Sequence, residues 1–490
     1  MSLQNLTATQ LADKISKKEL SAKEALNDFR SRAEKLNGDI NAIASFSDGA
    51  DKRAEEIDKK IAAGEKVGRL AGVPILVKDM FCHAGEMTTA GSNILKNYRP
   101  PYTCTVVEKL EAEGAVVYGK TNQDEFAMGS SNENSIYGSV KNPWSFDHVP
   151  GGSSGGAAAA AATRMAPISF GTDTGGSIRQ PASFCGSVGI KPTYGRVSRH
   201  GIIAFASSLD QAGPITNNVR DAALASEIVS GHCRFDSTSS TEAVPSCSSE
   251  LSGDLKGMKV GLPSEYFGDG LEDESRKAIE NLIEDIRSAG AEIVEVSLPR
   301  TKYAVPIYYV IATCEASSNL ARYDGVRFGH RHDFTKEQAG SLEEFYSKTR
   351  GEGFGEEVKR RIMLGTFALS SGYYDAYYSK ACKVRRLVKN DFDSVFEKCD
   401  VILAPVTTGT AFKIGERIAD PITMYMNDIY TISANLAGLP GISLPCGLDG
   451  DGLPIGVQLM SKAFDETSLF KAAQAIEDLV NFKEVPGVIR

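Results

Sequence analysis

Two glycine- and serine-rich segments carry the residues of this chain that are best suited to chemistry. They are 151–156 (GGSSGG) and 171–179 (GTDTGGSIR), and an alanine-rich run separates them. Glycine at this density costs backbone entropy on folding and adds nothing to a core, but it lets backbone N–H groups converge on a reacting atom. Serine hydroxyls at such turns are candidate nucleophiles.

Three interpretations of these segments compete, and acyl transfer is the one that fits. Neither segment contains the glycine pattern of a phosphate-binding loop, and a flexible linker would not lead directly into 157–162 (AAAAAA). Acyl transfer needs a nucleophile, a base and N–H donors aimed at the developing oxyanion. Ser177 supplies a hydroxyl, and the backbone of Thr174, Gly175 and Gly176 supplies consecutive donors for an oxyanion hole.

Two residues compete for the role of base. His148 precedes the first segment, but Ser177 is followed by Ile178 and Arg179 and so does not lie in the Gly-x-Ser-x-Gly motif of a nucleophile elbow. We therefore favour a surface loop for this histidine. Lys78 ends the apolar run 73–77 (VPILV) and therefore has a reason to be buried. As a base it must be neutral, which requires its pKa to fall from about 10.4 to near 7, on the order of 4–5 kcal/mol.

At this point the sequence resembles the amidase signature family, whose members use a Ser-cisSer-Lys triad. The resemblance implies that Ser177 is the nucleophile, that Ser153 is the cis-peptide serine that relays the proton, and that Lys78 is the base. It also implies an α/β fold with a mixed central β-sheet between layers of helices. Asp173 and Arg179 are then expected to brace the loop rather than to react.

Longer segments resemble, within that family, the glutaminase subunits of tRNA-dependent amidotransferases. That resemblance implies that glutamine is hydrolysed and that its ammonia converts Glu-tRNA(Gln), or Asp-tRNA(Asn), to the amidated form. The segments are 124–134 (DEFAMGSSNEN), 315–324 (EASSNLARYD), 360–366 (RRIMLGT), 370–378 (SSGYYDAYY) and 435–440 (NLAGLP).

The same resemblance implies partners and a substrate pocket. Subunits B and C would complete a heterotrimer, tRNA would be bound mainly by a partner, and ATP and Mg would be used there, so this chain needs no cofactor. Glutamine carries a carboxylate and an ammonium group, and the resemblance assigns Arg361 to the first, Asp428 to the second and a contact to Tyr308. Each assignment stays open by one position, and Arg361 has the alternative of a surface charge on a helix.

Composition narrows the class of protein further. The 490 residues are 42% apolar and 24% charged, as in soluble globular proteins. The net charge of −9 argues against binding of a polyanion such as nucleic acid by this chain alone. The nine cysteines contain no CxxC pair and the six histidines no HxxxH pair, so we predict no metal site. No segment approaches the roughly 20 apolar residues of a membrane span. We therefore expect a reduced, cytoplasmic protein.

The elements that must position these residues alternate between helical and strand patterns, which favours a sheet covered on both faces. We expect an N-terminal helical layer over 1–65 packed on one domain over 66–490, with a helical insertion at about 303–397. Strands are expected at 72–78, 115–118, 258–262, 291–296, 400–404, 441–445 and 454–459.

Two other functions compete with the amidotransferase interpretation. A stand-alone amidase would act on small amides without partners. A catalytically silent scaffold would keep the fold for assembly, but it has no need of a buried lysine beside two serines.

Overall fold

The computed structural model describes residues 3–268, 270–335, 339–417 and 421–489, the side chains of 421 and 422 excepted. Within them one mixed sheet contains eleven strands. The strands are β1 (Ile43–Phe46), β2 (Pro74–Lys78), β3 (Val116–Thr121), β4 (Ile168–Asp173), β5 (Val188–Lys191), β6 (Gln211–Thr216), β7 (Lys259–Pro263), β8 (Glu292–Val296), β9 (Val401–Pro405), β10 (Gly441–Leu448) and β11 (Pro454–Ser461).

The strand order across the sheet is β1-β3-β2-β4-β6-β5-β10-β11-β9-β7-β8. Strand β2 is parallel to both β3 and β4, and β7 is parallel to β8 and β9. The remaining pairs are antiparallel. The predicted mixed sheet is therefore confirmed.

Helices cover the sheet. The α-helices of the described residues are α1 (Ala8–Ser16), α2 (Ala22–Ile40), α3 (Ala50–Ala62), α4 (Thr105–Ala112), α5 (Gly155–Ala162), α6 (Arg179–Phe184), α7 (Val219–Val229), α8 (Asp273–Ser288), α9 (Ala304–Asn319), α10 (Leu342–Gly353), α11 (Glu356–Leu369), α12 (Lys380–Val395), α13 (Pro421–Met426), α14 (Ile432–Ala437) and α15 (Glu466–Val480).

The centre of the sheet positions the glycine-serine segments. Strand β2 is buried along its whole length, so Lys78 at its carboxyl end lies inside the protein. Helix α5 is built from two glycines and six alanines and is also buried throughout, because small side chains let a helix approach the sheet closely. The second segment runs from β4 into α6, so both segments meet at the same end of β2.

The sequence did not predict β1, β4, β5 or β6. Strand β1 pairs with β3, so the N-terminal segment that we expected to be only helical also contributes an edge strand. Helices α9 to α12 occupy most of the expected insertion at 303–397, of which residues 336–338 lie outside the described residues.

All nine cysteines are free thiols. Among the described residues, no helix combines the length and apolar character that crossing a bilayer requires.

Candidate active site

Lys78 lies at the centre of a cluster of hydroxyl groups. Its side chain is fully buried, and its Nζ lies 2.7 Å from Ser153 Oγ, 2.9 Å from Ser154 Oγ and 3.0 Å from Thr172 Oγ1. No carboxylate is among these hydrogen-bond partners. The lysine is therefore held by neutral groups, an arrangement that suits an amine able to exchange a proton.

The environment of Lys78 favours its neutral form. Burial lowers the pKa of Lys78 to about 7, against the opposing negative charges of Asp124, Asp173 and Asp210. Burial has this effect because a charged amine loses its hydration inside the protein. A large fraction of Lys78 is therefore unprotonated near neutral pH.

The first glycine-serine segment approaches Lys78 through an unusual backbone. The Gly152–Ser153 peptide bond is cis, and the Gly152 N–H donates to Gln180 Oε1 at 2.9 Å. A Cβ atom on Gly152 would overlap the carboxylate of Asp124, so no side chain fits there. This segment brings Ser153 to the lysine.

Ser177 lies on the second segment and is 8% exposed. Its C=O accepts from the Ser154 N–H at 3.2 Å, so the two segments are adjacent. Within the described residues, the Ser177 hydroxyl makes no side-chain hydrogen bond, and it does not contact Lys78 directly. Any proton passing between them needs an intermediate group, and the assignment of Ser153 to that role stays a prediction.

The expected oxyanion donors differ in availability. The N–H groups of Thr174 and Gly175 have no acceptor among the described residues. The N–H of Gly176 instead donates to Asp173 Oδ1 at 2.9 Å. Thr174 and Gly175 are thus free to receive an oxyanion, whereas the role of Gly176 stays a prediction that requires its N–H to turn from Asp173.

Asp173 and Arg179 brace this loop, as expected. The two side chains are fully buried and form an ion pair at 3.1 Å. Arg179 also donates to Gln458 Oε1 at 2.9 Å, Asn435 Oδ1 at 2.6 Å and the Thr431 C=O at 3.1 Å. Burial raises the pKa of Asp173, but the charge and hydrogen bonds of Arg179 outweigh it and hold that pKa at about 2.

Arg361 is enclosed by aromatic rings and is not a surface charge. It is 3% exposed, and its guanidinium lies 5.7 Å from the ring centre of Phe205, 5.3 Å from that of Tyr309 and 5.4 Å from that of Tyr425. Its Nε donates to Glu357 at 2.8 Å. Neither Nη atom has a hydrogen-bond partner in the described part of the chain. Two guanidinium nitrogens remain available for an anion.

A cavity of about 120 Å³ connects Arg361 with the loop around Ser130. Ser130 Oγ donates to Asp428 Oδ2 at 2.5 Å, while Asp428 Oδ1 is buried without a hydrogen-bond partner in the structure described. A Cβ atom on Gly176 would lie 3.4 Å from that Oδ1. Burial raises the pKa of Asp428 to about 7. The cavity is thus bordered by Arg361 on one side and by Ser130, the partner of Asp428, on the other.

Tyr308 lies against the nucleophile loop. It is buried, and a Cβ atom on Gly175 would lie 2.7 Å from its Oη. The neighbouring Tyr309 stacks on Tyr425 instead, with ring centres 3.8 Å apart. Of the two neighbouring arginines, Arg361 is the buried one, whereas the side chain of Arg360 is 45% exposed.

Several residues at the site were not predicted. Ser154 and Thr172 contact Lys78, and the charge of Asp210 acts on it from further away. Ser154 and Thr172 lie in the two glycine-serine segments, whereas no motif points to Asp210. The rejected base His148 makes its side-chain contact with Ser145, at 2.8 Å. No cluster of three or more His, Cys, Asp or Glu side chains suited to a metal ion occurs in the residues described.

Known proteins resemble this chain along nearly its whole length. The family described as Amidase matches residues 24–470. A Bdellovibrio bacteriovorus protein, named as the A subunit of glutamyl-tRNA(Gln) amidotransferase, is 56% identical over 477 residues, which are 97% of each chain. The crystal structure of the protein of that name from Thermotoga maritima is 41% identical, has a TM-score of 0.81 and is matched over 98% of its length and 99% of this chain. Peptide amidase from Stenotrophomonas maltophilia is 28% identical with a TM-score of 0.83, over 99% of both chains.

Proposed function

This chain belongs to the amidase family, and we propose that it hydrolyses glutamine as the ammonia-supplying component of a tRNA-dependent amidotransferase. The observation that carries the amide chemistry is the 2.7 Å contact between the buried Lys78 Nζ and Ser153 Oγ beside the Ser177 loop. The named relatives at more than 40% identity support the narrower assignment.

The proposed reaction begins when Ser177 Oγ attacks the carbonyl carbon of the glutamine side-chain amide. Its proton passes through the Ser153 hydroxyl to neutral Lys78, and the Thr174 and Gly175 N–H groups stabilise the oxyanion. The C–N bond then breaks, and the proton returns through Ser153 to the departing nitrogen, which leaves as ammonia. Water attacks the γ-glutamyl ester by the same proton route, which releases glutamate and restores the Ser177 hydroxyl.

The two charged groups on the α-carbon of glutamine find complementary charges in the protein. The free Nη atoms of Arg361 suit the α-carboxylate, because a guanidinium binds a carboxylate through two parallel hydrogen bonds. The unpartnered Oδ1 of Asp428 suits the α-ammonium, which would also keep that carboxyl ionised. A pocket with both charges is poorly matched to a simple apolar amide, and this disfavours the stand-alone amidase.

The proposal includes partners. The ammonia released from glutamine at Ser177 would be used by subunits B and C of a cytoplasmic heterotrimer. ATP and Mg would activate the aminoacyl-tRNA there. This chain itself would work without a cofactor, and tRNA would contact mainly the partner subunit.

Ammonia release from glutamine tests the proposal. Wild-type chain, Ser177→Ala and the control Ser226→Ala are assayed alone and with the co-expressed partner subunits and charged tRNA. Ser226 is a suitable control because its buried hydroxyl also has no hydrogen-bond partner in the described ranges, and because it lies on α7, away from the site. We expect Ser177→Ala to remove turnover and Ser226→Ala to retain it.

Two outcomes would contradict the proposal. Near wild-type turnover by a folded Ser177→Ala protein would exclude the nucleophile. Equal turnover of glutamine and of butyramide by the chain alone, unaffected by partners or tRNA, would indicate a stand-alone amidase.

A further inference from the structure

Glu125 is a buried carboxylate that the proposed reaction does not use. It lies in the 124–134 segment and is 5% exposed, and one of its oxygens accepts a hydrogen bond from Ser92. The Gly355 N–H donates to both carboxylate oxygens, at 2.9 and 3.2 Å. A Cβ atom on Gly355 would lie 2.4 Å from Glu125 Oε2, so a side chain there would displace the carboxylate from this contact.

Gly355 is the N-cap residue that immediately precedes helix α11, and this helix has no side-chain cap from its own sequence. The first turn of a helix leaves N–H groups without partners and carries partial positive charge, so a carboxylate placed there stabilises it. Glu125 provides that carboxylate from 230 residues away in the chain. The start of α11 is thereby fixed to the loop that follows β3.

The position of α11 determines the position of Arg361. Glu357 and Arg361 lie one turn apart on this helix and are paired at 2.8 Å. Ring packing also holds the start of α11 to the 124–134 segment, because Phe126 contacts Phe354, with ring centres 5.7 Å apart. The helix start cannot shift relative to the 124–134 segment without moving Arg361 relative to Ser130 and Asp428.

We propose that Glu125 is a positioning residue for glutamine: it caps α11 and so holds Arg361 at the distance from Asp428 that an α-amino acid requires. This inference rests on the proposed function, in which Arg361 binds the substrate carboxylate. It predicts that loss of Glu125 weakens binding of glutamine and leaves amide cleavage intact.

The test uses the full chain assembled with its partner subunits. Glu125→Ala is expected to raise the KM for glutamine by about tenfold, the size of effect expected for a lost helix cap, with kcat unchanged within about twofold. Glu125→Gln keeps one acceptor oxygen and is expected to raise KM by only about threefold. Hydrolysis of butyramide, which has no α-carboxylate, should be unaffected by either variant.

Glu477→Ala is the matched control. Glu477 Oε1 accepts from the N–H of Val219, the first residue of α7, at 2.8 Å, but α7 carries no proposed substrate contact. A general loss of stability would affect both alanine variants, whereas only the Glu125 variant should change the glutamine KM.

An Arg361→Ala background shows whether Glu125 acts through Arg361. There, Glu125→Ala should produce no further rise in KM, because the side chain that it positions is gone. A normal KM in Arg361→Ala alone would contradict the proposed substrate binding itself. A raised KM in Arg361→Ala, together with an unchanged KM in folded Glu125 variants, would overturn only the role of Glu125. If Glu125→Ala does not fold, a normal KM in Glu125→Gln would overturn that role in the same way.

Discussion

The hydrogen bonds around Lys78 match a neutral amine. The Ser154 hydroxyl donates to the Thr172 C=O at 3.1 Å, and the Thr172 hydroxyl donates to Met80 Sδ at 3.2 Å. With their hydrogens used, both hydroxyls accept from Lys78 Nζ. A neutral amine then has one lone pair left, and the remaining neighbour is the Ser153 hydroxyl. Proton relay from Ser153 to Lys78 follows from this arrangement.

The pH dependence of catalysis should separate Lys78 from Asp428. Both have a pKa of about 7, and the reaction needs Lys78 neutral and Asp428 charged. Both requirements are lost as pH falls, so kcat/KM for glutamine should drop by up to about a hundredfold per pH unit well below 7 and level off above it. For butyramide, which has no ammonium, only Lys78 should matter, and the slope should be about tenfold per unit.

Steady-state kinetics between pH 5 and 9 test this expectation. Asp428→Asn should reduce the glutamine slope to that of butyramide. Lys191→Met is the control, since burial also lowers the pKa of Lys191 to about 7, but its Nζ donates to the Pro192 C=O instead. Equal slopes for the two substrates in the wild type would exclude Asp428 as the ammonium ligand.

At the scale of the element, the nucleophile loop tolerates little added volume. A Cβ atom on Gly175 would lie 2.7 Å from Tyr308 Oη, so Gly175→Ala must displace either the tyrosine or the loop. Displacement of a catalytic loop by about 1 Å is expected to lower kcat/KM on the order of a hundredfold while the fold is retained. Glutamine turnover and circular dichroism together check this expectation.

Gly38→Ala provides the comparison for that variant. Gly38 lies inside α2 with no atom within 4 Å of the added Cβ. Alanine there should leave turnover unchanged and stabilise the protein by about 0.5–1 kcal/mol. Wild-type activity in Gly175→Ala would mean that the loop and Tyr308 are not in the contact described.

The elements differ in how well the sequence predicts them, for physical reasons. Strands such as β2 (PILVK) and β9 (VILAP) are continuous apolar runs with clear ends, and they occur where expected. Strand β6 (QAGPIT) contains glycine and proline, and β4 (ISFGTD) runs into the glycine loop, so neither shows a strand pattern. Their strand character depends on neighbours in the sheet, which the local sequence does not reveal.

The same distinction applies to the site. Lys78 could be predicted because an apolar strand brings it inside, and Ser177 because its glycines mark a loop. Glu125 could not, because its role depends on contact with Gly355, distant in sequence. Asp210 likewise acquires its contact with Thr174 only in the folded sheet. Local chemistry was visible in the sequence, whereas the attachments between segments required the structure.

At the scale of the whole molecule, Arg179 joins distant parts of the chain at the active-site loop. Its guanidinium contacts Asp173 at the end of β4, Asn435 on α14 and Gln458 on β11. Strand β4 belongs to the first half of the sheet order, whereas β11 belongs to the half that follows β5. One buried cation therefore ties the nucleophile loop to the C-terminal part of the sheet.

Removing that cation should destabilise the whole protein. Arg179→Met leaves the Asp173 carboxylate buried without its partner, and breaking a buried ion pair in this way costs about 3–5 kcal/mol. The expected result is a lower urea midpoint of unfolding, with turnover reduced under conditions where the variant is still folded. Arg287→Met is the control, because Arg287 pairs with Glu284 on the surface, where such a contact contributes about 0–1 kcal/mol. Equal stabilities of the two variants would mean that the loop is held by its backbone hydrogen bonds alone, without help from the far side of the sheet.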